Sequence, residues 1–157
     1  MKIAGLSVVG TLLATLLYYF FEIGWYSILQ STWQAGEGVS PEDYTNQSGG
    51  WMALGAVAPL LQVIAIGLIL KWSGWPSLSE AFGKIFSLSV LLGVAVGIYA
   101  LAYLPQHSVP LFLIDTIHYI IGWSVTAIVL TYFRPKYVAP ITKRGLSEND
   151  GIEDIYE

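Results

Sequence analysis

Four long apolar stretches constrain the fold of this chain more than any other feature. A helix needs about 20 mostly apolar residues to cross a hydrocarbon core of ~30 Å. Four stretches meet that length, at about residues 3–29, 51–70, 81–104 and 109–133. They are continuous apolar runs and do not alternate, which disfavours a barrel. Because lipid offers no hydrogen-bond partners to the backbone, the sequence predicts an all-α integral membrane four-helix bundle.

The composition agrees with this interpretation. Of the 157 residues, 55% are hydrophobic and 11% are charged, whereas soluble domains average about 25% charged residues. This is too little charge to cover a water-soluble globule, so a soluble enzyme is nearly excluded. The net charge of −4 offers no basic excess for phosphates, which argues against nucleic-acid binding. Because the chain has no cysteine, disulfides, thiol chemistry and cysteine-ligated metals are excluded.

The basic residues indicate how the spans are oriented. If the spans alternate in direction, all seven basic residues fall on one side: Lys2, Lys71, Lys84, Arg134, Lys136, Lys143 and Arg144. The opposite side receives the 30–50 loop, in which we expect a short helix to begin at Ser40, and the 105–109 loop. The positive-inside rule then predicts that both termini are cytoplasmic, an N-in/C-in topology.

Two domains are expected along the chain. Residues 1–133 form the predicted transmembrane four-helix domain, and residues 134–157 form a cytoplasmic polar tail. We expect the tail to be solvated and mobile, as termini usually are, with a docking segment for a cytoplasmic partner as the alternative. The first apolar stretch is expected to stay on the chain, because it is far longer than the roughly 7–15 apolar residues of a signal peptide and no A-x-A site follows it.

Helix-start signals support the predicted spans. Ser77 and Glu80 have capping-box spacing just before the third span, so that each can satisfy a free backbone amide of the first turn. Pro110 suits the first turn of the fourth span, where its missing N–H donor has no cost. These signals place two helix starts near the positions that the apolar runs indicate.

Three ionisable residues lie inside the predicted spans, where a charge is costly and normally faces the bundle interior. Glu22 lies late in the first span, and Asp115 and His118 share a face early in the fourth. Polar and small residues recur at helical spacing around them: Thr11, Thr15, Tyr19, Glu22 and Tyr26 on the first helix, and Asp115, His118, Gly122 and Thr126 on the fourth. Gln62 lies near the middle of the second span. We expect these faces to meet in a polar interior that opens outward.

Three interpretations of this polar cluster remain open. It can be structural, with hydrogen-bonded groups that orient the helices. It can be a proton or ligand site, with Gln62 and Tyr26 as further candidate residues, because intramembrane ionisable groups often mark transport paths. It can also be a metal site of one histidine and two carboxylates. No H-x-x-E or E-x-x-H spacing supports the third interpretation, so we expect neither a metal nor a cofactor.

The third span carries a stripe of small residues, Ser89, Gly93 and Gly97. Two overlapping small-x-x-x-small steps let another helix approach closely. We expect the stripe to serve packing inside this bundle, and the alternative is a contact with a second protein or a second copy of the chain.

The end of the first span resembles a family motif. Its residues are Phe21, Glu22, Ile23, Gly24, Trp25, Tyr26 and Ser27, with Trp33 beyond them. This is similar to the DUF1761 family of small four-helix bacterial membrane proteins, in which a Trp-Tyr-Ser-Pro element ends the first helix and a further Trp follows. The resemblance covers about residues 5–133 and implies the fold and a bacterial cytoplasmic membrane location. Glu22 and Ile28 stand where that family tends to have glycine and proline, so the resemblance assigns Glu22 no role.

Two functional hypotheses follow from the sequence. No G-x-S-x-G, H-E-x-x-H or P-loop motif occurs, so no catalytic residue is predicted. The leading hypothesis is a non-enzymatic membrane protein that packs with other membrane subunits or with itself, or that binds a lipid-like ligand. The alternative is a small proton-coupled transporter that uses Glu22, Asp115 and His118, similar in size and span number to small multidrug exporters. The lipid bilayer is the partner common to both hypotheses.

Overall fold

A computed structural model of the chain describes residues 2–38, 49–105 and 107–135. Five helices occur within these ranges: α1 (Val8–Ile28), α2 (Gln30–Glu37), α3 (Gly49–Trp72), α4 (Leu78–Tyr103) and α5 (Val109–Tyr132). All but α2 are long and apolar enough to cross a membrane, so the predicted set of four long apolar helices is confirmed. The short helix predicted at Ser40, and the tail beyond residue 135, lie outside the described residues.

The beginning of the first span differs from the prediction. The helix begins at Val8, later than predicted, because the residues before it form an antiparallel hairpin of β1 (Lys2–Ile3) and β2 (Leu6–Ser7). Ala4 and Gly5 at its tip have positive φ angles of 52° and 83°, the combination that a tight two-residue hairpin turn requires. Apolarity alone does not distinguish a helical residue from a strand residue, so the apolar run extended the predicted span too far.

The hairpin is fastened to the ends of the neighbouring helices. The Ser7 hydroxyl accepts a hydrogen bond of 3.2 Å from the first turn of α1 and so caps it. At the end of α3, Lys71 Nζ donates to the Ala4 carbonyl oxygen at 2.8 Å. Leu6 is buried beside Leu130 of α5. The hairpin therefore covers the end of the bundle at which α1 begins and α3 and α5 end, which we call the hairpin end.

Helix α2 lies in a segment that the sequence predicted to be a loop. It follows α1 directly and ends at Glu37, and Gly38 after it has a left-handed φ of 67°, as is common just after a helix. It packs on α5, where a Cβ atom at Gly36 would lie 2.5 Å from Leu111. The segment is too short and too polar to resemble a span, so the apolar pattern gave no sign of it. We call the end of the bundle that carries α2 the α2 end.

The turn between α3 and α4 follows the signals in the sequence. Gly74 has a left-handed φ of 76°, and Trp75 N donates to the Leu70 carbonyl oxygen at 2.9 Å, which closes α3 as a Schellman motif does. The predicted capping box of Ser77 and Glu80 is present, since each side chain bonds the backbone N–H of the other. This prediction is confirmed.

Helix α5 is the centre of the bundle. It packs against α1, α2, α3 and α4, whereas the packing of α4 is mainly on α5. The long helices alternate in direction along the chain, so that Lys71, Lys84 and Arg134 lie towards the hairpin end and Glu37 and His107 lie at the α2 end. Both α3 and α4 pack on α5, but they do not pack closely on each other. A groove therefore remains between α3 and α4.

The small-residue stripe of α4 faces α5. A Cβ atom at Gly97 would overlap the Phe112 ring, and a Cβ atom at Gly93 would touch Thr116. Thr116 Oγ1 also donates to the Gly93 carbonyl oxygen at 3.4 Å, and Ser89 is buried. The stripe therefore brings two helices of this chain together, as the sequence predicted.

Candidate functional site

The ionisable residues of α1 and α5 lie at matching levels of the bundle. Because the two helices run in opposite directions, Glu22 meets His118, and Tyr26, one turn further along α1, meets Asp115. Glu22 Oε1 lies 3.7 Å from His118 Nε2, and Tyr26 Oη donates to Asp115 Oδ1 at 2.9 Å. The structure therefore brings these four sequence-predicted candidates together across one helix interface.

His118 is the most enclosed member of this cluster. Its side chain is 3% exposed, and neither ring nitrogen has a hydrogen-bond partner among the described residues. The 3.7 Å separation from Glu22 is longer than a hydrogen bond. Aromatic rings surround the imidazole: Tyr18, Phe21, Tyr26 and Tyr119.

Gln62 joins three helices at the middle of the bundle. Its Oε1 accepts hydrogen bonds from Tyr18 Oη at 2.9 Å and from Trp123 Nε1 at 2.6 Å. An indole N–H can only donate, so this contact fixes which end of the amide faces Trp123. The Gln62 Nε2 group keeps its donors, for which the described part of the chain supplies no partner. The Tyr18 ring reaches Gln62 across Gly122, where a Cβ atom would overlap it.

Two further polar groups lie at the α2 end. His107 Nδ1 is 4.0 Å from Glu37 Oε1, and Asp115 lies within electrostatic range of both residues. Together with the pairs already described, they form a series that leads from the α2 end to the middle of the bundle. We call this series the polar row: Glu37, His107, Asp115, Tyr26, Glu22, His118, Tyr18 and Gln62.

The face of α1 that lines the interior differs from the predicted one at Tyr19. Tyr18 is buried and points to Gln62, whereas Tyr19 is partly exposed and its ring contacts Phe20. Thr15 donates back to the Thr11 carbonyl oxygen within its own helix. The sequence held the signal, since Tyr18 lies four residues before Glu22, but two adjacent tyrosines both fit a helical spacing of three or four.

A cleft of about 260 Å³ lies between α3 and α4, with α5 as its floor. Leu92 and Val96 of α4 are partly exposed at its side. Tyr119 lies between the cleft and the polar row, since it is also within electrostatic range of Glu22 and Asp115. The sequence gave no sign of the cleft, which depends on how α3 and α4 diverge. Its lining residues are Gln62, Ser89, Leu92, Gly93, Val96, Tyr119 and Trp123.

The described residues contain no group of three or more His, Asp or Glu side chains that could hold a metal ion, so the metal interpretation has no ligand set there. No family model matches the sequence, and no curated protein or solved structure is significantly similar to it. The resemblance to the DUF1761 family therefore stays a prediction.

Substitution of two adjacent tyrosines tests the observed interior face. Tyr18→Phe removes a buried hydrogen bond to Gln62, and we expect it to lower the free energy of unfolding by about 1 kcal/mol. Tyr19→Phe is the matched control and should change it by less than about 0.5 kcal/mol, as partly exposed positions usually do. Unfolding of the purified protein by SDS titration measures both values. A larger effect at Tyr19 than at Tyr18 would contradict this geometry.

Proposed function

We propose that this chain is a multi-pass integral membrane protein of a bacterial cytoplasmic membrane, with both termini in the cytoplasm. Support comes from the apolar side chains that the long helices turn outward, such as Val9, Leu12, Leu16 and Phe20 on α1. Such a surface would promote aggregation in water and suits lipid. The orientation is supported by the basic residues at the hairpin end, because cytoplasmic loops carry an excess of lysine and arginine.

Within the membrane, we propose that the protein binds a lipid-like ligand in the cleft between α3 and α4 and is not an enzyme. The observation that carries this proposal is the cleft itself, which is lined mainly by apolar side chains and by Gln62, whose amide N–H groups have no partner among the described residues. An accessory role based on helix packing has less support, since the stripe of Ser89, Gly93 and Gly97 is used within the chain.

The size of the cleft limits what it can hold. Its volume of about 260 Å³ is slightly below the ~300–1,000 Å³ of sites that enclose a whole drug-sized molecule. The cleft therefore suits one ring or a short chain segment, while the remainder of the ligand extends past Leu92 and Val96 into the surrounding lipid.

Filling the cleft tests the ligand-binding proposal. Val96 is 58% exposed at the cleft, and Ile98 of the same helix is 57% exposed outside it, so Val96→Phe and Ile98→Phe add similar bulk to similarly exposed positions. We expect native mass spectrometry of protein purified in mild detergent to show a bound lipophilic molecule in the wild type and in Ile98→Phe. At least about a tenfold loss is expected in Val96→Phe, because overpacking of a filled site costs ~1–3 kcal/mol. Equal retention by both variants would contradict the proposal.

A proton-coupled transporter is the second candidate function, and the polar row favours it. The row leads from Glu37 at the α2 end to Gln62, and intramembrane ionisable groups often mark proton paths. Towards the hairpin end, however, the interior is packed mainly by apolar side chains: Ala14, Val63, Ile66, Leu70, Ala127 and Leu130. A transporter would therefore need a second arrangement of the helices to open this half, whereas a ligand-binding protein would not.

Proton flux into reconstituted vesicles separates the two candidates. A transporter should lose its substrate-driven flux in Glu22→Gln and keep it in the control Glu80→Gln, because glutamine can replace glutamate in a capping box. Absence of flux from the wild type, or the same flux in both variants, would contradict the transporter hypothesis.

A further inference from the structure

The depth of the cleft restricts the chemistry of its ligand. Gln62 lies thirteen residues after Gly49 and ten before Trp72, the two ends of α3. With a rise of 1.5 Å per residue, this places it about 20 Å and about 15 Å from the two ends. Lipid headgroups lie outside a hydrocarbon core of ~30 Å. A polar atom that reaches Gln62 must therefore belong to a molecule that carries its polar group into the hydrocarbon.

The Gln62 amide can donate hydrogen bonds to a ligand but has no acceptor position left for one. The Gln62 oxygen already accepts two hydrogen bonds, so the amide presents only the N–H groups of Nε2. The Ser89 hydroxyl donates to the Phe86 carbonyl oxygen at 2.8 Å, so its proton is already engaged. Unpaired donors in an apolar environment are unfavourable, and a carbonyl oxygen on the ligand would relieve this cost.

The lining also favours a neutral group, and its aromatic side chains favour a ring. None of the seven described lining residues carries a charge, so a carboxylate or a phosphate would find no counter-ion at this depth. The rings of Tyr119 and Trp123 line the α5 side of the cleft in an edge-to-face contact, with centroids 6.0 Å apart and planes at 71°, and aromatic side chains of this kind pack well against another ring.

We infer that the cleft binds the head ring of an isoprenoid quinone, with a ring carbonyl accepting from Gln62 Nε2 and the prenyl chain leaving past Leu92 and Val96 into the lipid. This inference rests on the proposed ligand-binding function and names its ligand class. A free fatty acid is disfavoured by its charge, and a phospholipid by the depth of the donors.

A pair of probes that differ only in the carbonyl groups tests this inference on the unmodified protein. One probe is a prenylated naphthoquinone, and the other is the prenylated naphthalene with the same carbon skeleton. Each is partitioned between lipid nanodiscs that contain the protein and empty nanodiscs, and the bound amount is measured by mass spectrometry. We expect the wild type to bind the quinone at least about fivefold more tightly, as one hydrogen bond allows.

Variants separate failure of this inference from failure of the proposed function. Ile98→Phe should keep the preference for the quinone, and Val96→Phe should lose binding of both probes. If the wild type binds both probes equally and Val96→Phe binds neither, the quinone assignment is wrong while an apolar ligand site remains. If neither probe is enriched on the wild type, or if Val96→Phe binds both as well as the wild type does, both proposals are wrong.

Discussion

The shared oxygen of Gln62 is the contact on which the arrangement of the bundle depends most. It accepts from Tyr18 of α1 and Trp123 of α5, so three helices meet at one atom at the middle of their length. Between helices in lipid a single hydrogen bond contributes only about 0.6 kcal/mol on average. Its loss would nevertheless leave two buried donors unpaired, which costs more. The contact thereby fixes the relative position and rotation of α1, α3 and α5.

Helix α4 is held by a different interaction, and this explains why a cleft exists. Its glycines approach α5 closely at Phe112 and Thr116, and its packing is mainly on that helix. Nothing comparable to the Gln62 contact draws α4 towards α3 in the described residues. The space between them remains, and the amide that joins the other helices forms part of its wall. The Gln62 side chain therefore joins three helices and, in our proposal, also binds the ligand.

The sequence predicted the features that depend on local pattern. Length and apolarity defined the four long helices, and the spacing of Ser77 and Glu80 defined a helix start. The meeting of the α1 and α5 polar faces followed from the cost of intramembrane charge. What it could not predict depends on tertiary contacts or on short segments: the hairpin, α2, the choice of Tyr18 over Tyr19, and the partners of Gln62. Tyr18 and Tyr19 point 100° apart around α1. The rotation of the helix about its own axis therefore decides which of the two is buried, and the sequence does not give that rotation.

All of these proposals require that the helices cross a lipid bilayer, with α2 outside and the turn between α3 and α4 in the cytoplasm. The chain has no cysteine, so single-cysteine variants at the exposed positions Ser31 and Ser73 report on one side each. In intact cells, a membrane-impermeant maleimide is expected to label Ser31→Cys, and to label Ser73→Cys only after the membrane is permeabilised. Equal labelling of both variants in intact cells, or recovery of the chain in the soluble fraction without detergent, would contradict the account.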